Sequence, residues 1–148
     1  MAMADKGETD LAWAAGLFDG EGTLGLYKNS STGRYCYIMF RVKMCTKGDV
    51  EEFGRILGVK VRKYKAEKRA WKPVYTVTLN GMGKVKKALE ALLPYLRGKR
   101  KQAEVMLEYL RFREERSDRG YCRPYTAEEK DEMDKVHLEL KRLKKEEE

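Results

Sequence analysis

Histidine is nearly missing from this chain: one residue, His137, stands among 148. Hydrolases that work through clustered histidines, HNH-type chemistry and most zinc sites among them, are therefore excluded. Cysteine is scarce too. Cys36, Cys45 and Cys122 make an odd count with no CxxC spacing, which indicates neither a disulfide framework nor a zinc ribbon. No apolar run approaches the roughly 18 residues of a membrane helix, and the acidic, polar first ten residues do not resemble a signal peptide. The expectation is an intracellular protein in a reducing compartment, neither secreted nor membrane-bound. No P-loop is found, so an ATP-driven function is unsupported. Internal repeats and linkers are missing as well. One domain is expected over residues 1–148, with a flexible N-terminus (1–9) and a C-terminal helix (126–148).

What is present is charge. Asp, Glu, Lys and Arg make up 38% of the residues and the mean hydropathy is −0.71, yet 10% aromatics argue against wholesale disorder. A chain of this length buries about two-thirds of its unfolded surface, enough for a real core. The formal net charge of +8 is unevenly spread: residues 59–101 hold fourteen Lys/Arg against two acids, Glu67 and Glu90. A concentrated basic block on an otherwise near-neutral chain is the electrostatic footprint of a polyanion partner.

Periodicity places the elements. Thr9 or Asp10 can cap a helix through Leu11–Asp19, which the glycines at 20 and 22 end. Thr23–Lys28 reads as a strand. Tyr35–Cys45 alternates, with Ile38, Phe40, Val42 and Met44 on a core face and Tyr35, Tyr37, Met39, Arg41, Lys43 and Cys45 opposite. Asp49–Leu57 is a short helix closed by Gly58, and Val59–Ala66 pairs with Lys72–Leu79 around a basic tip. An amphipathic helix follows (Val85, Ala88, Leu89, Leu92, Leu96), interrupted at Arg97–Lys101, then a helix with Ala103, Met106, Leu107 and Leu110. Ser117–Pro124 is a loop. Thr126 and Glu129 form a capping box for a last helix, expected to pack on the side of the core. Strands and helices in this order give the α+β class, an antiparallel sheet covered by helices on one face.

The first helix carries the chemistry. Ala12, Ala15, Gly16 and Asp19 form a stripe of small residues, along which two helix backbones can approach closely. The run then ends Gly20-Glu21-Gly22, projecting the Glu21 carboxylate from a helix C-terminus, where the dipole is already negative. A second copy alongside makes this worse unless a divalent cation sits between the two, and hard oxygen ligands suit Mg²⁺, with Mn²⁺ or Ca²⁺ able to occupy the same site. Trp13, Leu17 and Phe18 read as ordinary core.

The run Ala14-Ala-Gly-Leu-Phe-Asp-Gly-Glu-Gly22 resembles the motif of the single-motif, homodimeric LAGLIDADG homing endonucleases. The resemblance covers roughly residues 10–113 by element order. It implies an αββαββα fold with a DNA-binding β-sheet saddle, to which extra C-terminal helices are added here. It further implies metal-dependent double-strand cleavage at a long pseudo-palindromic site, as in intron homing. By position, Glu21 is the metal-binding acid, the Gly20 carbonyl is a further ligand, and the Ala12, Ala15, Gly16, Asp19 stripe is the dimer interface. A second segment, Leu92–Ala103, resembles the place where such enzymes set a basic residue beside the active site, and Lys99 is assigned there as catalytic. Two departures stand out: Glu for the usual final Asp, and Met44 where some relatives carry glutamine.

For a saddle lying along the major groove, the expected DNA contacts are Tyr35, Tyr37, Arg41 and Lys43 on the long strand and Thr76 and Thr78 on the fourth strand. Lys63 and Lys65 are expected on the third, with Arg62 as the alternative there. Lys28, Arg34, Lys68, Arg69, Lys72 and Lys101 complete the set as cations suited to phosphate. The alternatives on the same fold are a maturase that binds intron RNA and a DNA-binding regulator that has lost cleavage.

Overall fold

The computed structural model describes residues 7–28, 35–65, 71–116 and 125–146. Helix α1 (Glu8–Glu21) leads into strand β1 (Gly22–Lys28), and β2 (Tyr35–Met44) returns beside it. Helix α2 (Lys47–Leu57), strands β3 (Arg62–Tyr64) and β4 (Val74–Leu79) and helix α3 (Met82–Leu92) follow. A 3-10 turn (Leu93–Tyr95) then connects to α4 (Arg100–Glu114) and α5 (Ala127–Glu146). The four strands form one antiparallel sheet in the order β1-β2-β4-β3. The α+β class and the αββαββα order expected from the sequence are both present.

Alternation decides the two faces of the sheet. Leu24, Leu26, Phe40, Val42, Val77 and Leu79 are buried under the helices. Three aromatic rings stack through this layer: Phe18 lies 4.4 Å from Phe40 and 6.5 Å from Phe53, centroid to centroid. Such pairing adds to plain area burial and fixes α1 against both the sheet and α2. Gly22 is required at the end of α1 because Phe18 runs beside it. A Cβ there would stand 2.3 Å from the Phe18 ring.

Several boundaries differ from the sequence reading, each for a local reason. α1 starts at Glu8 behind Gly7 and has no side-chain cap, so Glu8 and Thr9 are helical rather than part of a flexible tail. Acids in this first turn suit the positive end of the helix dipole. Asp10 instead takes Arg55 of α2, which also grips Glu52. β3 is cut back at its start because the Val59 N–H turns to the Gly54 carbonyl to close α2. β4 begins after Pro73, which has no N–H for the ladder, and α3 stops before Pro94 for the same reason. The loop read at Ser117–Pro124 lies outside the described residues.

α5 packs against α4 and along β1. Its N-terminus is held by the Thr126 hydroxyl, which accepts the Glu129 N–H at 3.1 Å, the backbone half of a capping box. The Glu129 carboxylate turns to Arg113 at 3.2 Å in a largely buried ion pair, with the Arg113 guanidinium 4.6 Å over the Tyr125 ring. His137 sits on the same helix, where its Nδ1 donates to the Leu26 carbonyl at 2.7 Å. The one histidine is thus a structural donor on the outer edge of β1.

A candidate nuclease site at the end of the first helix

Glu21 is the last residue of α1 and is exposed. It borders an open groove with Lys43, Met44, Cys45 and Thr46 at the end of β2 and Val74 at the start of β4. Beside it the chain brings in the connector between the 3-10 turn and α4. The Asp19 carboxylate accepts the Arg97 N–H and the Lys99 N–H, both at 2.8 Å. In return the Lys99 ammonium donates to the Asp19 carbonyl at 2.7 Å. An ammonium on a terminal helix carbonyl satisfies a group that helix geometry leaves orphaned and offsets the negative end of the dipole. Lys99, distant in sequence, is therefore fixed to Asp19, two residues before Glu21 in the last turn of the same helix.

The sequence places Asp19 on the dimer stripe, whereas in the structure its carboxylate is committed to its own chain. Ala15 is fully buried in the core. The small residues of α1 that remain exposed are Ala12, Gly16 and Gly20. Trp13 corrects the sequence reading in the same region: it is 39% exposed, not core, and stands next to that stripe. Replacing Asp19 by Asn leaves one backbone amide facing an NH₂ group. The expected results are a loss of about 1–2 kcal/mol in urea denaturation and faster amide exchange at Arg97 and Lys99.

The face of the sheet away from the helices is a second, basic groove. It is lined by Met39, Arg41 and Lys43 of β2, Thr76 and Thr78 of β4, Arg62 and Tyr64 of β3, and Lys60 and Asn80 beyond the strand ends. Lys43 borders this groove and the Glu21 groove together. On its floor the Arg41 Nε and the Thr76 hydroxyl are buried and meet no hydrogen-bond partner among the described residues.

Register corrects the assignment on β3. Arg62 pairs with Thr76 and Lys63 with Tyr75, so Arg62 and Tyr64 share the face of Thr76 while Lys63 falls on the opposite one. Lys65 follows the parity of Lys63 and lies beyond the end of β3. Met39 joins the groove as its alternation with Arg41 and Lys43 implies, whereas Lys60, Tyr64 and Asn80 join it without a sequence signal that marks them for it. Parity identifies Tyr64 and Lys60 only once the partner of Arg62 is known. Lys72 and Lys101 are exposed, the latter in the first turn of α4. Lys28, Tyr35 and Tyr37 are strand residues by backbone, and Arg34, Lys68 and Arg69 lie outside the described residues.

A four-stranded antiparallel sheet with one basic open face, covered on the other by helices that present an acid at its rim, is the fold of the LAGLIDADG homing endonucleases. Among solved structures the chain is similar to the homing endonuclease I-TnaI, at TM-score 0.60 and 19% identity over 93% of this chain and 97% of that one. It is similar also to the homing endonuclease I-CvuI, solved in complex with its target in the presence of Ca, at TM-score 0.57 and 23% identity over 92% and 95%. The LAGLIDADG homing endonuclease I-GzeII, in complex with a DNA target, gives TM-score 0.59 and 12% identity over 90% of this chain and 43% of that one. No family model and no curated protein sequence matches the chain. No helix among the described residues is long and apolar enough to cross a membrane.

Proposed function

We propose that this chain is a LAGLIDADG homing endonuclease: a homodimer that cuts both strands of a pseudo-palindromic DNA site with the help of a divalent metal. The observation that carries the reading is the last turn of α1, where Lys99 is tied to Asp19 and Glu21 stands exposed at a rim joined by Lys43 to the basic groove.

The residues fit a shared metal better than a private one. Among the described residues no three acids, histidines or cysteines converge in one chain. Glu21 and the Gly20 carbonyl are hard oxygen donors, but they fall short of the roughly six that Mg²⁺ takes. A two-fold pairing of α1 along Ala12, Gly16 and Gly20 brings a second Glu21, and phosphate oxygens of bound DNA complete the set. Bound there, the cation supplies an activated water and neutralises charge on the scissile phosphate. Glu21 holds and orients that ion. Lys99, fixed by Asp19, keeps an ammonium next to the reacting phosphate, where developing negative charge is stabilised. Arg41 and Arg62 present guanidinium forks to base edges in the major groove, with Thr76 and Thr78 between them. Lys43, Lys60, Lys72 and Lys101 serve phosphates, as do the cations expected at Lys28, Arg34, Lys68 and Arg69. Trp13 lies at the dimer contact.

The test is a selection on randomised palindromic duplexes with Mg²⁺, sequencing the cut ends. One recovered sequence family with a fixed stagger is the expected result. If the protein retains a common sequence without cutting it, the fold serves as a DNA-binding regulator. Met44 at the Glu21 rim, an apolar residue where a polar one would help hold water, is the feature that favours this second reading.

A further inference from the structure

We infer that the DNA contact surface continues past the sheet edge onto α5, through Tyr27 and Lys144; this rests on the reading of the open sheet face as a duplex-binding surface. Thr23 pairs with Arg41, Gly25 with Met39 and Tyr27 with Tyr37, so Thr23, Gly25 and Tyr27 belong to the open face of the sheet. Tyr27 does not stand up from that face. Its ring folds back over Gly25, where a Cβ would stand 2.7 Å from the ring. Glycine at 25 is what lets the ring lie flat.

Lys144, in the last turn of α5, reaches round the edge strand to this ring. Its ammonium donates to the Tyr27 hydroxyl at 3.2 Å and stands 5.5 Å from the ring centroid. The reach is set by His137, which ties α5 to the outer edge of β1 two turns earlier, about 10 Å along the helix axis. Nearby Arg142 is engaged within α5 by Glu139 and Glu146, both at 2.5 Å, whereas the Lys144 ammonium has a neutral phenol as its acceptor. An ammonium has three donors and the phenol takes one. Lys144 is therefore placed to hold a backbone phosphate of the duplex beyond the last strand, with the flat Tyr27 ring against the adjoining sugar. The last helix, an addition to the family order, becomes part of the DNA interface.

The experiment measures the association constant for a long random-sequence duplex against salt concentration, for the full chain and three variants. Each phosphate that the protein ceases to neutralise reduces the log–log slope by about 0.9. Lys144→Ala is expected to reduce it by that amount for each protomer engaged. Gly25→Ala, which displaces the ring, is expected to do the same in part. Lys130→Ala, an exposed lysine at the far end of α5, leaves the slope unchanged. If wild type binds the duplex and Lys144→Ala keeps the wild-type slope, the extension onto α5 is wrong and the sheet face alone binds DNA. If wild type does not bind, the nuclease reading falls and this inference with it. Lys144 is only half-buried, in the last turn of α5, so its variant tests the idea even where Gly25→Ala disturbs folding.

Discussion

Glu21→Gln is expected to lower the single-turnover cleavage rate by about a thousandfold while leaving duplex affinity within about threefold of wild type. The glutamine is nearly isosteric, so shape at the α1 terminus is kept. What disappears is the negative charge proposed to hold a divalent ion, and with it the water activation that such an ion would supply. The affinity is expected to be spared because the groups proposed to meet DNA lie elsewhere, on the open sheet face with Arg41, Lys43, Arg62, Thr76 and Thr78. Stability argues the same way. An exposed anion at a helix C-terminus is unfavourable by about 0.3–1 kcal/mol, so its removal does not weaken the fold. A cleavage defect in a variant at least as stable as wild type is a defect in chemistry. Equal cleavage by the two proteins would remove Glu21 from the mechanism.

Gly16→Glu is the second large effect, and it separates the fold from the dimer. A Cβ at Gly16 meets nothing within 4 Å inside the chain, so the substitution is free of clashes there. Glycine in a helix interior is also destabilising by about 0.5–1 kcal/mol relative to a better helix former. The melting temperature of the isolated chain is therefore expected to hold or rise. Across a two-fold pair of α1 helices the same side chain enters the line of closest approach and faces its own negative copy. Sedimentation should show a monomer at micromolar concentration, and double-strand cleavage should fall by more than about a hundredfold, because one chain brings one acid. An unaltered dimer would show that the chains do not pair through the exposed stripe of α1.

Much of this is legible in the residues alone. The α1 run with its terminal acid, the core alternation of β2, the stripe of α3 and the Thr126 cap depend on local pattern, and the structure reproduces them. The proximity of Lys99 to the motif end follows from a resemblance, and the structure gives its physical basis in the Asp19 carboxylate. What escapes depends on contacts distant in sequence. The face on which Lys63 lies is fixed by the pairing of Arg62 with Thr76, and a slip of one residue reverses every side chain on the strand. Val59 and Val61 suggest a longer β3, yet the closing turn of α2 claims the Val59 amide. Trp13 looks like core by type, but the stripe it adjoins is open in a single chain. Tyr27 and Lys144 stand 117 residues apart, and no periodicity connects them.

The central claim is that two Glu21 carboxylates hold divalent metal against the scissile phosphates. The most direct test is a crystal of the protein on its selected duplex, grown with Mn²⁺ and measured by anomalous scattering. The account predicts Mn²⁺ peaks at roughly 2.1 Å from a Glu21 carboxylate oxygen of each protomer, near the two-fold axis and in contact with phosphate oxygens. Ordered DNA with Mn²⁺ bound elsewhere, or with Glu21 turned away from the phosphates, would contradict it.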